Sequence, residues 1–203
     1  MSAYRQAIHR ALSQLAAVIV VLLLAQSAPA YDFPLSENAI RDAYFLGTRT
    51  GGLNPDFLAR YARVVPDLKQ GNCTSSIRIE TPFLQVARHV SGVPNYSAQD
   101  AVAAFYGKPL VFRIYLDICY QTHAPANAIK VRVLQQKKEL LPLSFESSPF
   151  SEPTEFGFLP PNGEQITLEF DPAKIDPSRA LTILVDTPNG EQALTELDLA
   201  KLR

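Results

Sequence analysis

The sequence predicts a mainly β protein: an immunoglobulin-like or related β-sandwich of about eight or nine strands, with a small helical subdomain at its N-terminal side. Three observations predict it. Apolar and polar residues alternate in short runs through most of the C-terminal two-thirds, which is the signature of half-buried strands. Sixteen prolines and nine glycines fall largely between those runs, as turns between strands require. Helical 3.6-residue spacing is confined to the Leu35–Val65 region and a short stretch after Ser97.

The chain opens on a cationic start, Arg5, His9 and Arg10, followed by the unbroken apolar run Leu15 to Ala25. Ala28-Pro29-Ala30 then closes the segment with small residues. These are the three regions of a secretory signal peptide, residues 1–30, cut between Ala30 and Tyr31. The run is eleven residues, against the roughly 20 that a bilayer-spanning helix needs. An uncleaved signal-anchor that tethers the chain to a membrane is the alternative. No later segment is long and apolar enough to span, so no transmembrane segment is expected in the mature chain.

Residues 31–68 read as a helical segment packed on a sandwich of residues 69–203. Ser36 caps a first helix, with Leu35 and Ile40 placed as a hydrophobic staple and Gly47 as its C-cap. Asn54-Pro55-Asp56 opens a second, with a cap, a proline at the first helical position and an acid facing the helix dipole. Its apolar stripe, Phe57, Leu58, Tyr61, Ala62 and Val65, runs to Pro66.

From Ser75 the period shortens towards two. Ile77 and Ile79 alternate with charged residues, and Phe83 to Val90 read as strand resuming after Pro82. Ser97 to Asp100 form a capping box for a short helix ending at Gly107. The clearest strand places Leu110, Phe112, Ile114, Leu116, Ile118 and Tyr120 on one face and Arg113, Tyr115, Asp117 and Cys119 on the other. Ile129 to Val133, Leu140 to Phe145, a short piece around Phe156 and Phe158, Gln165 to Phe170 and Leu181 to Val185 follow. Pro188-Asn189-Gly190 then turns the chain into a last strand through Leu199.

Leu35-Ser36, Ala39 to Arg49 (AIRDAYFLGTR), Thr81-Pro82-Phe83 and Thr187-Pro188-Asn189-Gly190 together resemble a family of uncharacterised exported bacterial proteins. The resemblance implies a bacterial envelope or extracellular setting, periplasmic or secreted. It carries no activity.

Composition excludes several function classes. Beyond residue 30 the chain holds 17 basic and 20 acidic residues, a net charge of −3, so nucleic acid is not an expected partner. Cys73 and Cys119 are the only cysteines, and in an exported chain such a pair reads as a structural disulfide. Cys119 lies on the polar side of its strand and Cys73 in phase with Ile77, so pairing them calls for a bulge at Gly71-Asn72. A zinc site from Cys73, His89, Cys119 and His123 lacks any close-spaced first pair, and no metal or other cofactor is expected. No nucleophile elbow is present, and no catalytic residue is assignable. Asp100, Asp117, Glu80 and Glu169 are the carboxylates from which a glycosidase pair would have to come. Two glycosylation sequons, at Asn72 and Asn95, stand against about one delivered by chance, a weak signal that bears only on a eukaryotic secretory pathway.

A surface remains. Arg113, Tyr115 and Asp117 form a possible interaction face, an amphipathic aromatic flanked by charges. The plain reading of the same residues is an Arg113–Asp117 pair on an exposed sheet. Arg41 and Arg49 around Tyr44-Phe45-Leu46 form a second contact candidate. The expected occupation is a non-enzymatic binding or structural module with a protein or glycan partner in the envelope. The alternatives are an envelope glycan- or peptide-directed hydrolase using a carboxylate pair, and a carbohydrate-binding accessory domain marked by exposed, clustered tyrosines.

Overall fold

Two antiparallel sheets stack face to face and enclose one apolar core. In the computed structural model the described residues are 33–70, 73–119, 129–150, 153–154, 157–158, 163–188, 190 and 192–202. The signal-peptide segment, His123 and the Gly71-Asn72 bulge position lie outside them. The strands are β1 Ala62–Gln70, β2 Cys73–Glu80, β3 Phe112–Cys119, β4 Lys130–Gln135, β5 Lys138–Leu140, β6 Ser144–Phe150, β7 Pro153–Thr154, β8 Gly157–Phe158, β9 Gly163–Phe170, β10 Ala180–Asp186 and β11 Gln192–Asp198. One sheet has the order β1-β2-β3-β9-β6 and the other β11-β10-β4-β5, while β7 and β8 pair as a short ribbon. The mainly β sandwich expected from the alternation is the observed architecture.

The core follows from strand periodicity. Successive side chains point to opposite faces, so Phe112, Ile114, Leu116 and Ile118 of β3 all turn inward and are fully buried. Ile77 and Ile79 of β2 and Ile166, Leu168 and Phe170 of β9 share that face. Opposite them stand Leu181, Ile183 and Val185 of β10, Val133 of β4 and Leu197 of β11. Each such side chain contributes about 1.5–3 kcal/mol on full burial. The β10–β11 hairpin closes as expected, with Gly190 at φ +85 and its N–H donated to the Thr187 carbonyl, 3.0 Å away. Gln136 and Lys137 make the β4–β5 turn with positive φ at both positions, the backbone of a two-residue hairpin.

Among the described residues four α-helices accompany the sheets: α1 Glu37–Thr48, α2 Pro55–Leu58, α3 Pro82–Ser91 and α4 Ala98–Phe105. Ser36 caps α1 by accepting from Ala39 N–H, and Leu35 and Ile40 are both buried at the expected staple positions. Ser97 and Asp100 form the capping box of α4. Ile40 and Ala43 of α1 pack with Phe83, Val86, Ala87 and Val90 of α3 and Ala101 of α4 in a second, smaller core. Leu84 of α3 belongs instead to the sandwich core, so α3 ties the two together.

Four local expectations are corrected. Phe83–Val90 is helix, not strand. Thr81 Oγ1 accepts from Leu84 N–H at 3.2 Å and Pro82 occupies the first helical position. Phe83, Val86, Ala87 and Val90 then recur at helical spacing and are all buried. The second N-terminal helix is shorter than its apolar stripe. It tightens into a 3-10 turn at Ala59–Tyr61, and from Ala62 the chain is already β1. The sandwich therefore begins inside the segment read as helical. Gly47 is not a cap but an interior residue of α1. A Cβ there would meet the Ala87 carbonyl oxygen and, at 2.6 Å, Val90 Cγ2, so its missing side chain lets α1 and α3 touch. Finally, Leu140–Phe145 is not one strand. The chain leaves β5 of one sheet, passes Leu141-Pro142-Leu143, and enters β6 of the other, with Pro142 unable to donate to either ladder.

Candidate functional site: the polar face of the five-stranded sheet

β3 is the middle strand of the larger sheet, so every outward residue on it has a neighbour on both sides. Register then writes three polar rows across the face. Glu80 pairs with Arg113, Arg113 with Glu169, and Glu169 with Ser144. The next row is Arg78, Tyr115, Thr167 and Glu146. The third is Ser76, Asp117, Gln165 and Ser148.

In the first row the guanidinium of Arg113 lies between two carboxylates. Its Nε donates to Glu169 Oε1 at 2.7 Å and its Nη1 to Glu80 Oε2 at 3.4 Å. Ser144 Oγ supplies a further donor to Glu169 Oε2 at 3.1 Å. Glu80 is the more enclosed acid, its side chain 11% exposed, and it also receives the Tyr115 hydroxyl at 3.1 Å. Arg88 of α3 closes on its other oxygen, Nε to Oε1 3.7 Å. The helical subdomain thus reaches the sheet face through one charge.

These contacts set the electrostatics. The Arg113 hydrogen bond holds the Glu169 carboxyl below the usual carboxylate range, and Ser144 assists. The same bond raises the Arg113 guanidinium above its ordinary value. Burial, and then the Glu80 charge, pushes the Tyr115 phenol up. At neutral pH the Arg113 guanidinium therefore faces the Glu169 carboxylate, and Tyr115 stays a neutral phenol that donates to Glu80.

Asp117 is held in the third row by Gln165 Nε2 at 3.0 Å and Ser76 Oγ at 3.4 Å. Arg78 Nη2 reaches it diagonally at 3.5 Å, and the Arg78 guanidinium lies 5.5 Å from the Tyr115 ring centre. Tyr115 is therefore flanked by two arginines, one stacking and one beside its oxygen. The Arg113–Asp117 pair considered from sequence does not form. Four strand residues span about 13 Å, and both groups find nearer partners across the strands.

The structure brings Arg113, Tyr115 and Asp117 onto one face together with Glu80 and Glu169. It places the remaining candidates apart. Asp100 caps α4, where the Ser97 hydroxyl lowers its carboxyl below the ordinary value. His89 is exposed on α3, edge-on to Tyr96 and Phe105 at 5.6 and 5.2 Å between ring centres. Among the described residues no group of three or more His, Cys, Asp or Glu could hold a metal ion. Tyr44 docks α1 by donating its hydroxyl to the Tyr96 carbonyl at 2.9 Å, and its neighbour Phe45 stays 59% exposed. No described helix is long and apolar enough to cross a membrane.

Cys119 is 1% exposed although it follows the outward parity of Arg113, Tyr115 and Asp117. The β2–β3 register is regular only to Ser76–Asp117. Beyond it the Cys119 N–H is taken by Ser75 Oγ at 2.8 Å, with Ser75 itself fully buried. None of the described cysteines is free.

Glu80, Glu169 and Arg78 as partners of the β3 residues are what sequence reasoning missed. Their outward parity was readable, but their adjacency depends on register. No protein-family model matches the chain, and no curated protein matches it either.

Proposed function

We propose that the chain is an exported, non-enzymatic binding module of the bacterial envelope or extracellular space, and that its recognition surface is the polar face centred on Arg113, Tyr115 and Asp117. The observation that carries this reading is the Glu80–Arg113–Glu169 row. It lies on an open sheet face, and each of its charged groups is already held by a fixed partner. Such a face is preorganised for contact with a polar partner surface, since little side-chain entropy remains to be lost on binding. The same contacts argue against carboxylate-pair hydrolysis. A general acid needs a raised pKa, and Glu169 is shifted the other way. Described tyrosines do not cluster on this face, where Tyr115 stands alone while Tyr61 is buried and Tyr44 is turned to Tyr96. That arrangement gives the glycan-accessory reading no support.

Export, with cleavage after Ala30, and membership of the exported bacterial family resembled by Ala39–Arg49 belong to the same proposal, as does a Cys73–Cys119 bridge. For the bridge, β2 starts at Cys73 and β3 ends at Cys119, adjacent antiparallel strands. The buried Cys119 is not a free thiol, and Cys73 is the only other cysteine in the chain.

The test is affinity capture from the envelope fraction, comparing the wild-type chain with an Arg78→Glu, Gln165→Ala variant. Both positions are on the face but outside the Arg113 row. A partner retained by the wild type and lost by the variant is the expected result. A partner held equally by both, or a hydrolytic activity in the purified chain, would overturn the reading.

A further inference from the structure

The helical subdomain carries a second, different kind of site. A cleft of about 540 Å³ opens between α1 and the loop and α2 that follow it, a volume within the range of about 300–1,000 Å³ typical of small-ligand sites. α1 contributes Asp42 and Phe45, its C-cap residue is Arg49, and the facing wall contributes Asp56, Phe57 and Arg60. Gly52 closes the turn between the walls by donating its N–H to the Arg49 carbonyl at 3.0 Å. Its missing Cβ is required there, because one would meet the Leu46 carbonyl oxygen and, at 2.9 Å, Arg49 Cγ.

The four charges differ from those of the sheet face. Among the described residues none of Asp42, Arg49, Asp56 and Arg60 forms a salt bridge. Asp56 and Arg60 have the i, i+4 spacing that pairs on a continuous helix, but α2 ends at Leu58 and Arg60 falls in the 3-10 turn. The cleft is thus neutral overall and strongly polar in parts. A simple anion would meet two carboxylates there, and a simple cation two guanidinia. A ligand carrying one charge of each sign complements both.

We propose that this cleft binds a short peptide by its free ends, the ammonium against Asp42 and the carboxylate against Arg49, with an apolar side chain on Phe45 and Phe57. Spacing selects the length. Asp42 of α1 and Arg49, the extended residue that caps its C-terminal end, both line the cleft, and seven residues of helical rise separate them by about 10 Å along the axis. An extended peptide of three residues spans about the same distance. Guanidinium and carboxylate match as a two-pronged fork, which favours a carboxylate terminus over an amide. The exposed Phe45 gives the middle side chain a surface to cover. The inference is independent of the sheet-face reading, because it uses other residues on another subdomain.

The experiment is calorimetric titration of the purified full chain with the tripeptide Ala-Phe-Ala, and with its N-acetylated and C-amidated forms. Saturable binding of the free tripeptide is expected, weakened about tenfold or more by blocking either end. Arg49→Ala should weaken the free peptide by a similar factor while leaving the C-amidated peptide unaffected, which separates a lost contact from a lost fold. Equal binding of free and doubly blocked peptide, saturable binding of inorganic phosphate in place of peptide, or no saturable binding at millimolar peptide would each overturn the proposal. The blocked-peptide arm uses only the wild-type chain, so it stands even if a variant fails to fold.

Discussion

Arg113 Nε lies 2.7 Å from Glu169 Oε1, on adjacent strands in direct register, while the other end of the same guanidinium reaches Glu80. One cation therefore compensates two carboxylates on three neighbouring strands. Removing it should cost more than an exposed surface pair, because Glu80 is largely enclosed. Arg113→Ala is expected to destabilise the chain by about 1–2 kcal/mol, between the values for exposed and buried pairs. Urea denaturation measures it. Arg113→Lys should recover only part, since an ammonium cannot face both acids with a planar fork. Full recovery by lysine would show that charge alone, not the geometry of the row, is at work.

The row also makes stability depend on pH at both ends of the scale. Glu169 has a folded pKa below its ordinary value of 4.5. Its contribution is fully present above that value and is lost as pH falls through the lower, folded value. Tyr115 has a folded pKa above 10.0. Its contribution is present below 10.0 and is lost as pH rises through the raised folded value. The melting-temperature gap between wild type and Glu169→Gln should therefore narrow below about pH 4.5. A gap that stays constant to pH 2 would remove Glu169 from the account. Phenolate absorbance should show Tyr115 titrating later in the folded chain than after unfolding, a late component that Tyr115→Phe removes.

The docking of α1 on α3 rests on Gly47. Adding a methyl group there forces it against the Ala87 carbonyl and Val90 Cγ2. Gly47→Ala should destabilise by about 1–3 kcal/mol, as overpacking does, although alanine is the better helix former at an exposed site. Differential scanning calorimetry gives the sign. A stabilised variant would mean that the two helices separate easily. By contrast, Thr81→Ala should cost about 1 kcal/mol through the lost cap of α3, with Thr81→Ser recovering most of it.

How much of this was legible before the structure depends on the kind of signal. The β3, β9, β10 and β11 strands were readable because their alternation is complete and each buries one face. The caps at Ser36, Asn54 and Ser97 were readable because they are local. Thr81-Pro82 was equally local, yet the preceding alternation of Ile77 and Ile79 suggested more strand. The helical recurrence of Phe83, Val86, Ala87 and Val90 was the contrary signal. Ala62 and Val65 show the opposite failure, a helical stripe continued past the point where the backbone had already become β1. The site was half legible. Arg113, Tyr115 and Asp117 are on an outward face as read, but Glu80 and Glu169 join them only through register between strands that no short hairpin turn connects, so no turn in the sequence fixes it. The cleft between α1 and α2 was hidden because Asp42 and Arg60 come to line one cleft only through the turn at Gly52.

The proposed Cys73–Cys119 bridge gives the last prediction. Its loop contains β2, α3, α4 and β3, and the bridge would join β2 to β3 at the end of the larger sheet opposite the helices. In the chain-entropy model, closing a loop of this length stabilises by about 4 kcal/mol, less any strain. Cys119→Ser should lose most of that, and the loss should match the effect of reductant on the wild type. Adding reductant to the variant should then change nothing further. Thiol counting in denaturant supplies the direct check, with no reactive thiol expected before reduction and two after. Two thiols before reduction would sink the bridge, and would leave the burial of Cys119 to the Ser75 hydrogen bond and local packing alone.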